Sequence, residues 1–438
     1  MIAVTPLEEN LEFGFCLRKE EPPTPPEPAS DAPLLEQLAR FKEFGAATRL
    51  AETRATLFSG ETVSVPTCVN EFWTAKQRAA NSLHEISYRA CFKPQLPRFF
   101  IQRLTTPGQV VYDPFMGRGT TILEAGLLGR IPFGCDVNPL SVCLARPRLA
   151  PPALSEVGER LAAVDWRDGD EGPEDLLVFY HPATLREISA LKKYLLRRKA
   201  EAPLDAVDGW IQMIALNRLT GHSPGFFSVY TMPPNQAVTV EVQRKINAKR
   251  GQTPPPRDVA KIICKKTKQL LGDCGKKERE VLAPAARSAI LLTGKSDSTP
   301  EIGGGSVSLV VTSPPFLDVV NYANDNWLRC WFIGVDSAAV ALTVPKKLEE
   351  WQSVMSAVFR ELFRVLRPGG HVAFEVGEVR GGTIRLEEAV IPCGAKAGLE
   401  PVLVLINDQK FTKTANCWGV DNNDKGTNTN RVVVLRKP

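Results

Sequence analysis

The fold this sequence predicts is α/β: an open, mostly parallel sheet assembled from two chain segments, with a large, largely helical insertion between them. Three observations carry it. Residues 109–112 (QVVY) form a short β-branched run, the breaker-rich Asp-Pro-Phe-Met-Gly-Arg-Gly follows, residues 120–128 have an apolar helical side, and 131–135 read as the next strand. Strand, helix and strand in so few residues make a parallel βαβ unit. A second block lies far downstream. There 307–311 (VSLVV) has the composition of a buried strand and runs into Thr312-Ser313-Pro314-Pro315, where proline ends the ladder. Residues 346–366 follow as an amphipathic helix stopped by Pro368-Gly369-Gly370, then strands at 371–376, 401–406 and 431–435. Between the blocks, residues 150–288 are rich in helix formers and too long for a simple connection, so they should carry structure and a task of their own.

Each part of the chain has its reading. Residues 1–35 hold seven acids against Arg18 and Lys19, and 20–33 are proline-rich, which predicts a disordered acidic leader. Residues 34–55 have helical character. The catalytic domain is expected over 36–149 and 289–438. The basic stretch 241–280 carries twelve Lys or Arg against five acids, a composition that suits a polyanionic partner or a solvated helical face.

Composition excludes several classes. Of 438 residues, 43% are hydrophobic and 24% charged, as in ordinary globular proteins, and no apolar run is long enough to span a membrane. The acidic beginning of the chain shows no basic-then-apolar secretory pattern. Ten scattered cysteines with no C-x-x-C pair read as reduced thiols of an intracellular protein, and four separated histidines predict no metal site.

Two segments can carry chemistry. In Asp113-Pro114-Phe115-Met116-Gly117-Arg118-Gly119-Thr120, the glycines let the backbone approach a ligand and the following helix offers free N–H groups. Asp136, 23 residues past Asp113 at the next strand's end, can accept from both hydroxyls of a ribose. A bare G-x-G would be an ordinary βα turn, but the flanking residues and the spaced acid favour a nucleoside cofactor. The second segment, Ser313-Pro314-Pro315-Phe316, sits at the carboxyl end of its strand. Ligands of open α/β sheets lie at that edge, so both segments should meet over one crevice. A hydroxyl, a proline carbonyl and an aromatic face suit a planar ring bearing an exocyclic amine.

With GCDVNP after the glycine loop and TSPPF downstream, the sequence resembles the amino-methylating DNA methyltransferases. The likeness extends upstream over residues 81–100 and downstream through RVLRPGGHVAFEVGE and TNTNRVVVL, covering about 66–149 and 289–438. The resemblance implies a Rossmann-like methyltransferase sheet, S-adenosylmethionine as cofactor, and transfer to cytosine N4 or adenine N6. It places Asp113, Pro114, Phe115, Gly117, Gly119 and Thr120 at the methionine end of the cofactor. Asp136 would stand at its ribose and Asp297 at its adenine amine, with Asn138 also at the cofactor, while Ser313, Pro314, Pro315 and Phe316 would stand at the flipped base. Ser-Pro-Pro is typical of the cytosine-N4 branch. Two departures stand out: Arg118 occupies a place where Ser is usual, and the insertion falls before Asp297.

The same resemblance implies a modification enzyme acting on double-stranded DNA beside a cognate restriction endonuclease, in a prokaryotic cytoplasm at the nucleoid. The insertion then becomes the target-recognition region. Arg244, Lys245, Lys249, Arg250, Arg257 and Lys261, with Lys265, Lys266 and Lys268, are candidate phosphate contacts, and Asn235, Gln236, Gln243 and Asn247 candidate base readers. Trp210, Trp327, Trp331 and Trp351 read as core, and Tyr322 as a pocket residue. An RNA or protein methyltransferase is one rival; a DNA-binding protein without turnover is another.

Overall fold

The computed structural model describes residues 33–74, 80–88, 91–232, 237–315, 322–340, 345, 347–379, 384–408 and 429–438. The leader up to residue 32, Asn235, Gln236, Phe316 and the Tyr322 side chain lie outside these.

The chain opens with helix α1 (Leu34–Ala39) and a hairpin of β1 (Arg49–Thr56) and β2 (Thr62–Asn70). Helical character over 34–55 is therefore corrected. The helix stops at Arg40, a turn in which Gly45 takes φ +84° follows, and from Arg49 the stretch is strand, its Thr53 hydroxyl bonded to that of Thr67 at 2.8 Å. Next come α2 (Gln95–Leu104), β3 (Val110–Asp113), α3 (Thr120–Leu127), β4 (Ile131–Asp136) and α4 (Leu140–Ala145). Six helices follow: α5 (Leu154–Ala162), α6 (Pro182–Glu201), α7 (Ala206–Arg218), α8 (Val240–Arg250), α9 (Val259–Leu270) and α10 (Lys276–Ser288). The sheet resumes with β5 (Ile290–Thr293) and β6 (Val307–Thr312), then α11 (Tyr322–Ile333), α12 (Leu348–Val365) and β7 (Leu366–Val376). A small ribbon, β8 (Glu378–Val379) with β9 (Ile384–Arg385), leads to α13 (Leu386–Lys396), β10 (Glu400–Asp408) and β11 (Thr429–Arg436). Strand β7 begins earlier than Pro368-Gly369-Gly370 suggests: Leu366 already pairs with Val307, and the turn residues form an irregularity inside the strand.

The nine main strands lie in the order β1-β2-β10-β11-β7-β6-β3-β4-β5. Strands β2 to β7 and β10 run one way, β1 and β11 the other. Every residue of β6 is buried, as befits a parallel strand covered on both faces. One face packs Val111, Leu309, Val311 and Leu405 against Phe99, Phe100 and Ala125 of α2 and α3. The other packs Tyr112, Val310, Phe374 and Val433 against Trp351, Phe359 and Val390 of α12 and α13. Helices α5 to α10 share a third core with Met116, Ile122 and Leu123 beside the glycine loop, and Trp210 is fully buried in it. Among the described residues no helix is long and apolar enough to cross a membrane, and no His, Cys, Asp or Glu group is gathered to hold a metal ion.

Candidate active site

Strands β3 and β6 are neighbours, with Tyr112 beside Val310, so the two chemical segments leave the same sheet edge side by side. A bond joins them directly: the Thr312 hydroxyl donates to Asp113 at 2.6 Å. Asp113 also accepts the Phe115 N–H at 3.1 Å, and burial pushes its carboxyl up to about 7 against these bonds. Asp113 is thus the rivet of the crevice floor, 1% exposed, and not an open ligand-facing acid.

The glycine loop hangs on Asp136. One carboxylate oxygen accepts the Gly117 N–H at 2.9 Å and the other the Asn138 N–H at 2.8 Å, while burial raises its pKa. Asn138 is buried, donates through Nδ2 to the Tyr88 hydroxyl at 3.3 Å and caps Leu140 at 3.1 Å. Gly117 and Gly119 take φ +49° and +76°. A Cβ on Gly117 would sit 3.7 Å from the Tyr88 ring, inside the cradle, whereas one on Gly119 would stand 2.6 Å from the Ala145 Cβ. Gly119→Ala should therefore cost about 3 kcal/mol of stability, from the left-handed backbone and the clash together. An unchanged melting temperature would disprove that reading of the turn.

Arg118, the departure at this loop, is buried and donates to the Thr120 hydroxyl at 3.0 Å, to the Ile86 carbonyl at 3.0 Å and to the Phe92 carbonyl at 3.5 Å. Its own carbonyl accepts from the fully buried Arg148. It straps the upstream segment over the glycine loop, a task a serine cannot reach. Glu124 of α3 secures the same segment, bonding His84 at 2.7 Å and Arg98 at 2.8 Å. Burial drives His84 down to about 4, so its ring is neutral near pH 7 and Arg98 supplies the countercharge.

The loop after β5 closes the far side. The Gly294 N–H donates to the Asp136 carbonyl at 2.9 Å and Ser296 bonds the Pro114 carbonyl. Asp297, next in line, is exposed at the rim.

Ser313 is half-buried and Pro314 buried, and the Pro315 carbonyl accepts from Trp351 Nε1 at 3.0 Å. Sequence reasoning missed their partner. Glu375, at the end of β7, bonds the Ser313 hydroxyl and accepts from Asn430 Nδ2 of β11 at 3.1 Å. Burial raises its pKa, and the two bonds oppose that rise. The clue was a carboxylate set within the apolar run HVAFEV, since a charge is kept in such a strand only when it is partnered.

The basic region divides. Arg244 pairs with Asp175 at 2.8 Å, Lys261 with Asp258 at 3.0 Å, and Arg250 lies over the Tyr230 ring at 3.8 Å. Arg257 is tied through its main chain to Thr184. Gln243 is fully buried and bonds the Tyr230 carbonyl and Asn247, whose own Nδ2 holds the Val178 carbonyl, so neither side chain is presented to a base edge. Lys266 is buried beside Gln269 and not on the surface. Lys245, Lys249, Lys265 and Lys268 are exposed.

Known proteins match the stretch that carries the glycine loop. Residues 45–145, with the Asp113 loop and Asp136, match the DNA methylase family model for N6 and N4 methyltransferases. Type II methyltransferase M.MjaII of Methanocaldococcus jannaschii is 36% identical over 62 residues, 14% of this chain and 12% of the relative. Type II methyltransferase M.MvaI of Kocuria varians is 27% identical over 128 residues, 28% of this chain and 25% of the relative. The chain thus matches well under half the length of either. The solved rRNA methyltransferase AviRa of Streptomyces viridochromogenes shares 13% identity over 84% of this chain and 94% of its own, at a TM-score of 0.33, a likeness too loose to bear on function. The glycine-lined cradle against Tyr88 and the carboxylate at the neighbouring strand end fit the nucleoside cofactor of that family, S-adenosylmethionine. Over residues 45–145 the chain is similar to the amino-DNA methyltransferases, and the curated relatives it matches over short stretches are Type II methyltransferases.

Proposed function

We propose that this chain methylates the exocyclic N4 amine of cytosine, flipped out of a short recognition sequence in double-stranded DNA. The observation that supports it best is the Ser313–Glu375–Asn430 arrangement, set beside the glycine loop by the Thr312–Asp113 bond. Pro114, Phe115, Gly117, Gly119, Thr120, Asp136, Asn138 and Asp297 would hold S-adenosylmethionine, with the buried Asp113 fixing the loop beneath it; when bound, the cofactor would supply an electrophilic methyl group, its sulfur keeping the electron pair of the broken bond.

An amine conjugated with its ring is a poor nucleophile because its lone pair is delocalised. The Ser313 hydroxyl donates to Glu375, which leaves its oxygen free to accept an amine N–H, and the Pro314 carbonyl can accept the other. Held so, the nitrogen turns toward tetrahedral geometry and its lone pair becomes available. As the new N–C bond forms, nitrogen becomes positive, and these oxygens stabilise the charge. The surplus proton passes through the Ser313 hydroxyl to Glu375. Ser313 acts by position and not as a covalent nucleophile: no G-x-S-x-G surrounds it.

Ser-Pro-Pro favours cytosine N4 over adenine N6, the second reading. Residues 150–288 are the proposed target-recognition region, and a cognate endonuclease the proposed functional partner. Sequencing genomic DNA from a methylation-free host expressing the chain, with mass spectrometry of the bases, tests the assignment. N4-methylcytosine in one short sequence is expected; N6-methyladenine would correct the base, and no modified base would overturn the reading. Lys245 and Lys249 serve as phosphate contacts in this reading. Replacing both by Ala should flatten the plot of log affinity against log salt by roughly 0.9 per lost contact. An unchanged slope would exclude them.

A further inference from the structure

One side chain bridges the helix that follows the target-base loop and the segment that lines the glycine loop. Arg329, in the middle of α11, is only 7% exposed. Its Nη2 donates to the Ser87 carbonyl at 3.2 Å, its Nη1 to Asn326 Oδ1 at 2.9 Å and its Nε to the Leu216 carbonyl of α7 at 3.4 Å. From the insertion side, Asn217 Oδ1 accepts the Ser87 N–H at 2.7 Å.

Beyond Ser87 the path continues to the cofactor loop. The guanidinium stands 5.7 Å from the Tyr88 ring centroid, and the Tyr88 hydroxyl accepts from Asn138. Asn138 in turn bonds Asp136, which carries the Gly117 N–H. A chain of contacts therefore runs from α11 through Arg329 to the glycine loop, and touches the insertion on the way. Only a planar fork of donors can serve three acceptors on three separate segments; an ammonium on a flexible stem cannot hold that geometry.

We infer that Arg329 is a positioning residue for methyl transfer, setting the distance between the target-base pocket and the cofactor loop without touching either reactant. The inference rests on the amino-methyltransferase reading above. Misplacing two reactants by about 1 Å costs on the order of 100-fold in rate, while each reactant can still bind its own half of the site.

The test is a single-turnover assay on unmethylated genomic-length DNA with tritium-labelled S-adenosylmethionine and enzyme in excess. Calorimetric titration of the cofactor and filter binding of the same DNA accompany it. R329K should lower the transfer rate about 100-fold, while cofactor and DNA affinities each move less than about threefold. Asn326→Ala, which frees one arm of the guanidinium and keeps the charge, should show the same split at about tenfold, and it decides the matter alone if R329K does not fold. Equal rates in wild type and R329K overturn the inference, as does a parallel fall in rate, both affinities and melting temperature. A wild-type chain that transfers nothing to DNA overturns the function and this inference together; an active wild type with an unaffected variant overturns this inference alone.

Discussion

Ser313→Ala binds S-adenosylmethionine as the wild type does and loses methyl transfer by about 100-fold or more, the scale of removing one group aimed at developing charge. The substitution deletes the oxygen that accepts the amine N–H and cuts the route from that nitrogen to Glu375. It leaves Asp113, Asp136 and the glycine loop in place, because none of their bonds passes through Ser313. Glu375→Gln gives the companion measurement. A carboxylate held above its usual pKa by burial takes up protons sooner as pH falls, so wild-type transfer should decline on the acid side earlier than for an exposed glutamate. The glutamine variant is slow and should lack that limb. A limb that survives in it removes Glu375 from the proton route. Transfer at wild-type speed by Ser313→Ala would remove the mechanism altogether.

Asp136→Ala weakens cofactor binding by about 100-fold, measured calorimetrically. Its carboxylate accepts two main-chain N–H groups, and a hydrogen bond to a charged group is worth about 1.5–3 kcal/mol. Both are lost in alanine, and the Gly117 amide loses the acceptor that shapes the loop. Asp136→Asn keeps an acceptor oxygen and should lose about tenfold. Because burial raises the Asp136 pKa, affinity should fall as acid protonates it. Unaltered affinity in the alanine variant would show that the loop keeps its shape without the acid and that the cofactor does not use it.

What was legible in the sequence is what local composition dictates. The βαβ unit around Asp113 announces itself within β3, α3 and β4, and the buried strand before Ser313 within a dozen residues, and parallel neighbours then bring both to one edge. What was illegible depends on distant partners. The hairpin of β1 and β2 joins the sheet through β2, where residues 67–70 pair with the distant residues 404–407 of β10. The Glu375–Ser313–Asn430 set draws on three strands, and no spacing in the chain links them. Base-reading roles for Gln243 and Asn247 failed for a related reason: polar side chains on a basic helix look free until the carbonyls of Val178 and Tyr230 are found beneath them. Arg118 stood out in the sequence only as a departure where Ser is usual, yet it proves to be a strap across three segments.

The sheet order has a consequence for how the chain is made. Strand β6 lies against β3, and the bond between Thr312 and Asp113 spans 199 positions; the bond between Asn407 and Phe72 spans 335. The first half of the crevice therefore leaves the ribosome with one flank bare, and the apolar strand β3 waits for its neighbour until the whole insertion has been synthesised. Late closure of such distant pairs makes for slow folding and exposed strand edges in the interval. Soluble yield should then respond to the rate of synthesis, with slower elongation at lower temperature favouring the native chain over aggregates.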